Sequence, residues 1–314
     1  GVGWDAGGTV ESAVGGEGIA GIDFGAGKAT SATTFVGDTV WGMGALPGDR
    51  VAMFGTRHAG GERPDGDYVL ADLTSAGVLD TAFGQNGMTV VDVSAVSDNP
   101  RHLIVDKDGT IVASGYSTID GVVQPVLVRA SAAGQIDRSF GTNGVAALPV
   151  TNVDNKFWNV GLQSDGSIVA SGQLDQGLTG GGQYNFDVLV ARFTTGGQLD
   201  SGFGTGGTVV KPISTELVES AFAMAIGADD AIYLGGYTTL PDFSFDAFVM
   251  KLDADGADDA SFSTDGLEIF DNGAVQDVFT GLVLQPDGKL LACGTSGGFF
   301  FDPRDQLVAR YTTA

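Results

Sequence analysis

One motif returns along this chain at nearly constant intervals, and it restricts the fold more than any other feature. The segments "LDTAFGQNG" (79–87), "IDRSFGTNG" (136–144), "LDSGFGTGG" (199–207) and "DDASFSTDG" (258–266) are versions of one sequence. Their phenylalanines, Phe83, Phe140, Phe203 and Phe262, stand 57, 63 and 59 residues apart. Each is followed 32 residues later by a glycine that ends an apolar run: Gly115, Gly172, Gly235 and Gly294. Phe24 heads a degraded fifth copy in the same register, with Gly55 31 residues on. Self-similarity at a fixed period of this size marks a repeat architecture, each copy being one supersecondary unit.

A single copy contains four strand-like runs. After Phe83 they are "MTVVDV", "RHLIVD", "TIVASG" and "PVLVRA". Asp-Gly pairs between the second and third runs signal tight hairpins, because such turns need positive φ. No run keeps helical periodicity over ten residues. The reading is all-β: a five-bladed β-propeller with four antiparallel strands per blade, whose closure leaves only short sheet edges. Residues 1–314 form one propeller domain, with an N-terminal extension over 1–23 and units starting near 24, 83, 140, 203 and 262. The chain ends three strands into its last unit, so the N-terminal strand "ATSATTFV" (29–36) is expected to close the last blade.

The pattern LDxxFGxxG … QPDGKxxxxG … xxLxRxxxxG resembles the delta-60 repeat, a β-propeller repeat of secreted and surface proteins in myxobacteria and related bacteria. The likeness is close at Leu199-Asp200-Phe203-Gly204 and at Gln285-Pro286-Asp287-Gly288-Lys289, and it covers nearly everything after residue 20. The first unit departs from it, with Gly21 in place of the motif's Asp and "LPGDR" in place of the Asp-Gly turn. The resemblance implies a propeller and an extracellular or cell-surface address. It brings no catalytic residues with it.

Composition narrows the function. Thirty-nine acids against 15 Lys and Arg give a net charge of −24, which disfavours nucleic acid as a partner, since phosphate binding needs a basic surface. No stretch approaches twenty continuous apolar residues, so no membrane span is expected. The lone cysteine, Cys293, sits in the apolar run "KLLACGTS" and reads as a buried structural thiol. Only two histidines, His58 and His102, are present. The chain opens on Gly1 with no charged-then-apolar leader, and a trimmed N-terminus is the expectation.

Repeated positions maintain every blade alike, so Asp80, Asp137, Asp200 and Asp259 read as turn-capping acids and the repeated phenylalanines as core plugs. Binding is sought instead in the loops that vary. These carry Tyr184, Phe186, Phe243, Phe245 and Phe300 as ligand-binding candidates. Counting back ten or eleven residues from each hairpin turn finds an acid in every unit: Asp38, Asp98, Asp154, Glu219 and Asp277. In a propeller these five would gather at the channel mouth, where they would hold a hard cation such as Ca²⁺. The competing reading is that each acid caps its own turn. Three or four residues further on stand Trp41, Arg101, Trp158, Phe222 and Thr280, of which Trp41, Arg101 and Trp158 are candidates for stacking on a ligand.

Two function classes remain open. The first is a non-enzymatic secreted or surface-associated binding module, holding a protein or glycan on its loop-rich face, with no cofactor required beyond an assisting Ca²⁺. The alternative is a carbohydrate hydrolase or lyase using two carboxylates at the channel mouth. No G-x-S-x-G motif supports a serine hydrolase. "GIDFGAGKAT" (21–30) is no phosphate loop either, because Ile22 stands in the place of its first glycine and Ala29 follows the lysine.

Overall fold

A computed structural model describes residues 22, 24, 38–58, 65–214, 217–298 and 304–313. The expected closing strand (29–36) and Phe300 lie outside the described residues. No helix occurs among those described. The chain forms two compact units, Gly1–Ala147 and Leu148–Ala314.

In the first unit, β1 (Thr39–Leu46), β2 (Arg50–His58), β3 (Gly66–Leu73) and β4 (Met88–Val91) make one four-stranded antiparallel sheet in sequence order. Strands β5 (Asp98–Val105), β6 (Ile111–Ile119), β7 (Val122–Ala130) and β8 (Val145–Ala147) make a second. The second unit opens with β9 (Lys156–Leu162), β10 (Ile168–Leu178), β11 (Tyr184–Phe193) and β12 (Thr208–Lys211), again four strands in order. It continues with β13 (Glu219–Ile226), β14 (Ile232–Thr239), β15 (Phe245–Leu252), β16 (Leu267–Phe270), β17 (Gln276–Leu284), β18 (Leu290–Gly297) and β19 (Arg304–Tyr311). These seven count as one sheet only through a single parallel pair, Phe245 with Gln276. Without that bridge they are a meander of four and a meander of three.

The turns explain why the units repeat. Each hairpin between first and second strands needs one residue in the left-handed region, and Gly109, Gly166 and Gly288 supply it at φ 80–85°. In "GADDAIYLGG", where glycine is missing, Asp230 takes φ 63° instead, an acid that tolerates this region.

The phenylalanine motif does its work between sheets. Asp80, Asp137, Asp200 and Asp259 each accept an amide two residues on, at 2.9–3.0 Å. That cap turns the chain so that the next phenylalanine points inward. Phe24, Phe83, Phe140, Phe203 and Phe262 are all at most 3% exposed. Phe83 slides under the turn of the neighbouring sheet, where a Cβ on Gly134 would sit 2.6 Å from its ring. Phe203 does the same beneath Gly256, at 2.8 Å. Only glycine leaves room for the plug, and each ring buried this way contributes about 1.5–3 kcal/mol. Arg129 and Arg192 complete the device: each pairs with its motif Asp and lies over the motif ring, at 4.6 and 4.9 Å.

One position differs from expectation. Cys293 is exposed, because the pleat of β18 turns Leu290, Ala292 and Gly294 inward and Cys293 to the other face. The third strands also differ from one another. β3 is buried along its whole length and β15 nearly so, whereas β19 alternates exposed and half-buried residues and has Val308 68% exposed.

Candidate functional site

The first strand of each four-strand repeat carries one β-bulge, and its position is the same each time. Pairing with the second strand slips between Val40 and Gly42, Pro100 and His102, Ala221 and Ala223, and Phe279 and Gly281. In β9 it slips where Asn159 pairs Ser171 and Phe157 pairs Gly172. The extra residue is therefore Trp41, Arg101, Trp158, Phe222 or Thr280. A bulge withdraws one residue from the ladder and re-aims its side chain. The five positions that the spacing singles out are the bulged residues of these five first strands.

In the first unit the bulged pair meets. The Arg101 guanidinium lies between the rings of Trp41 and Tyr116, 4.5 and 4.8 Å from their centroids, and donates to the Tyr116 hydroxyl and to the Pro100 carbonyl. Burial, the main influence, pulls its pKa below the ordinary value while the two nearby tyrosines oppose this. Trp41 leaves 54% of its surface open.

In the second unit the rings form a chain. Trp158 meets Phe222 edge-on at 5.0 Å, Phe222 meets Tyr237 at 5.4 Å, and Tyr237 meets Phe245 at 4.8 Å. The chain of rings ends at a groove of about 310 Å³ lined by Tyr184, Tyr237, Phe243 and Phe245 with Leu217 and Val218. Gln183 and Thr239 add an amide and a hydroxyl. Tyr184 is 63% exposed and rests on Phe186, stacked at 5.9 Å and 13°. Phe186 itself is 8% exposed, so it supports Tyr184 and does not face a ligand. Its amide donates to the Leu217 carbonyl at 3.1 Å, pinning β11 to the segment that leads into β13. Phe243 is 49% exposed at φ 65°, in the turn closed by Leu240 and Ser244. A bulky residue in that region costs about 1–2 kcal/mol, and such strain concentrates at functional sites. A second hollow of about 370 Å³ shares Leu217 and Thr239 with this groove.

Four of the five acids cap a preceding turn. Asp38, Asp98, Glu219 and Asp277 each accept a backbone amide from a preceding segment: Phe24, Val93, Ser214 and Asn272 respectively, at 2.8–3.1 Å. Asp154 is out of register with the other four. It is half-exposed and paired with Lys156 at 2.9 Å, while Asn155, fully buried, takes the structural place and accepts the Asp175 amide. Along a strand a one-residue slip changes face, so the neighbouring acid cannot substitute. Glu219 is also buried, and burial pushes its carboxyl up to about 7.

Among the described residues, the acids that converge are two trios. Asp98 joins Asp67 and Asp92, and Asp277 joins Asp246 and Asp271, with one oxygen of each acid within 4.8 Å of the others. Asp67, Asp92, Asp246 and Asp271 were not among the expected ligands, and neither were Tyr116 and Tyr237 in the stacking set. A visible signal existed for the tyrosines, since each directly follows a glycine, Gly115 or Gly236, in "SGYST" and "GGYTT".

Residues 107–140 match the model of a family described as a domain of unknown function (DUF5122) β-propeller. No curated protein matches the chain. Among solved structures, polysaccharide lyase Uly1 is similar over 88% of this chain and 58% of its own, at 11% identity and a TM-score of 0.50. An oxidoreductase described as a glucose dehydrogenase from Thermus thermophilus is similar over 87% and 83%, at 14% identity and 0.47. The extracellular domain of a one-component system from B. thetaiotaomicron is similar over 90%, at 12% and 0.41, and the present chain spans 28% of it. The family match and the sheet architecture identify a β-propeller fold. At such identities no activity transfers with it.

Proposed function

We propose that this chain is a non-enzymatic, secreted or surface-associated binding module that holds a glycan in the aromatic groove of its second unit. The supporting observation is the pair Tyr184 and Phe243: two large rings kept exposed at one groove, one propped from behind by Phe186 and the other held at positive φ. A volume near 310 Å³, mostly apolar with a few polar groups, fits one or two sugar rings. Flat rings offer the apolar faces, while Gln183 and Thr239 offer hydrogen bonds to hydroxyls. With the chain at −24, a neutral glycan is favoured over an acidic one. The delta-60 resemblance supports the extracellular address. The same repeat supports five blades.

The alternative, a hydrolase or lyase, has one observation in its favour: Glu219 at about 7 is in the range of a general acid. Yet Glu219 is fully buried and accepts from both the amide and the hydroxyl of Ser214, so its environment is that of a loop anchor.

Calorimetric titration with neutral oligosaccharides of the glucan, mannan and chitin classes tests the proposal. Saturable binding that Phe243→Ala abolishes is the expected result. No binding by any class, or binding indifferent to Phe243→Ala and Tyr184→Ala, overturns it. A glycan that binds and is then shortened would favour the enzyme.

A further inference from the structure

The two acid trios repeat one arrangement that neither the plug framework nor the groove uses. "DVSAVSD" (92–98) and "DNGAVQD" (271–277) share the spacing D-x-x-A-V-x-D. In each, the first Asp directly follows a short fourth strand, β4 or β16, and the last is the first or second residue of the next strand, β5 or β17. The third acid is the second residue of β3 or β15, Asp67 or Asp246. Two acids of each trio are buried and the middle one is exposed, so each cluster opens to water on one side.

Three carboxylates this close repel one another unless something neutralises them. Backbone caps satisfy only half of the deepest acids. Oδ2 of Asp277 accepts the Asn272 amide, but its Oδ1 has no hydrogen-bond partner although the residue is fully buried. Asp98, 1% exposed, shows the same division: Oδ2 accepts the Val93 amide and Oδ1 is unpartnered. A buried carboxylate oxygen left this way is costly and calls for a donor or a cation. The 4.8 Å limit is no more than twice a Ca–O bond of about 2.4 Å, so one ion can touch all three acids.

We infer that each trio is a binding site for a hard divalent cation of the calcium class. Carboxylate oxygens select such ions over softer metals, and water on the side of Asp92 or Asp271 completes the shell. The ion clasps the third strand and the end of the fourth strand of one meander to the first strand of the next. It does not depend on the glycan groove. The sites also differ in strength. Arg57 pairs across from Asp67 and reduces the negative field there, whereas Thr238 pairs across from Asp246. The trio at Asp246, Asp271 and Asp277 therefore binds more tightly.

Calcium titration of the metal-free full chain by calorimetry, with terbium luminescence as a second readout, is the test. Two ions per chain are expected. Asp271→Asn removes the tighter, Asp92→Asn the weaker, and the double variant both, each substitution weakening its own site at least about tenfold. Both residues are exposed, so the variants should melt with the wild type in EDTA, which separates lost binding from lost folding. Asp38→Asn, outside both trios, keeps two ions. Absence of binding up to millimolar calcium, or two ions retained by the double variant, overturns the inference.

Discussion

The junction between β12 and β13 and the junction between β16 and β17 occupy the same place in successive sheets, yet they carry different chemistry. By strand register Asp187, Pro212 and Glu219 correspond to Asp246, Asp271 and Asp277. Pro212 removes the exposed acid, and the segment to Glu219 is one residue longer than that from Asp271 to Asp277. The longer side chain and the longer loop let Glu219 reach Ser214, and beside it Leu217 and Val218 help to wall the aromatic groove. At the other junction the shorter loop brings three acids together. One framework thus accepts two fillings, decided by a single residue of loop length and one proline.

Both junctions rest on the same plugs, so the largest effect should come from removing one. Phe203→Ala is expected to cost about 3–5 kcal/mol, seen as a large fall in the denaturation midpoint. A loss below about 1 kcal/mol would show that the plug is not what joins β9–β12 to β13–β16.

Glu219 gives the next test, because it is the acid that no cation is expected to reach. Its folded pKa of about 7 lies above the ordinary 4.5, mainly through burial. The folded state therefore holds that proton when the unfolded state has released it. Stability from this group is full below pH 4.5, declines as pH rises towards 7, and stays low above that. Glu219→Gln should remove this decline, a difference on the order of 3 kcal/mol between pH 4.5 and pH 7.5. An unchanged pH profile would contradict the assignment, and so would a decline that calcium abolishes in the wild type.

The smallest effect concerns the bulges. Trp41→Ala should cost about 1 kcal/mol through lost stacking on Arg101, while leaving glycan binding in the second unit untouched. Loss of glycan affinity in that variant would move the binding site away from the groove.

The repeat made most of the framework legible. Period, Asp-Gly turns and plug phenylalanines all follow from local rules that act alike in every copy. The bulged residues were also found by spacing, although nothing in the sequence says that they are bulges. What spacing could not resolve was register at single-residue precision. Asp154 and Asn155 are adjacent and both polar, and only the pairing of Lys156 with Gln173 decides which one turns inward. The trios were hidden for a different reason. Each is assembled from two strands and the connection leading into the second, so Asp67 and Asp98 become neighbours only through packing. Phe186 shows the same limit: beside Tyr184 in a varied loop, it looks like a second ligand-facing ring until the stacking places it behind.

The contrast between the two junctions can be tested in one map. Crystals of the chain soaked in manganese or terbium, with anomalous differences recorded, should show a peak at Asp67, Asp92 and Asp98 and a stronger one at Asp246, Asp271 and Asp277. The β12–β13 junction should show none. Empty trios, or an ion beside Glu219, would contradict the account.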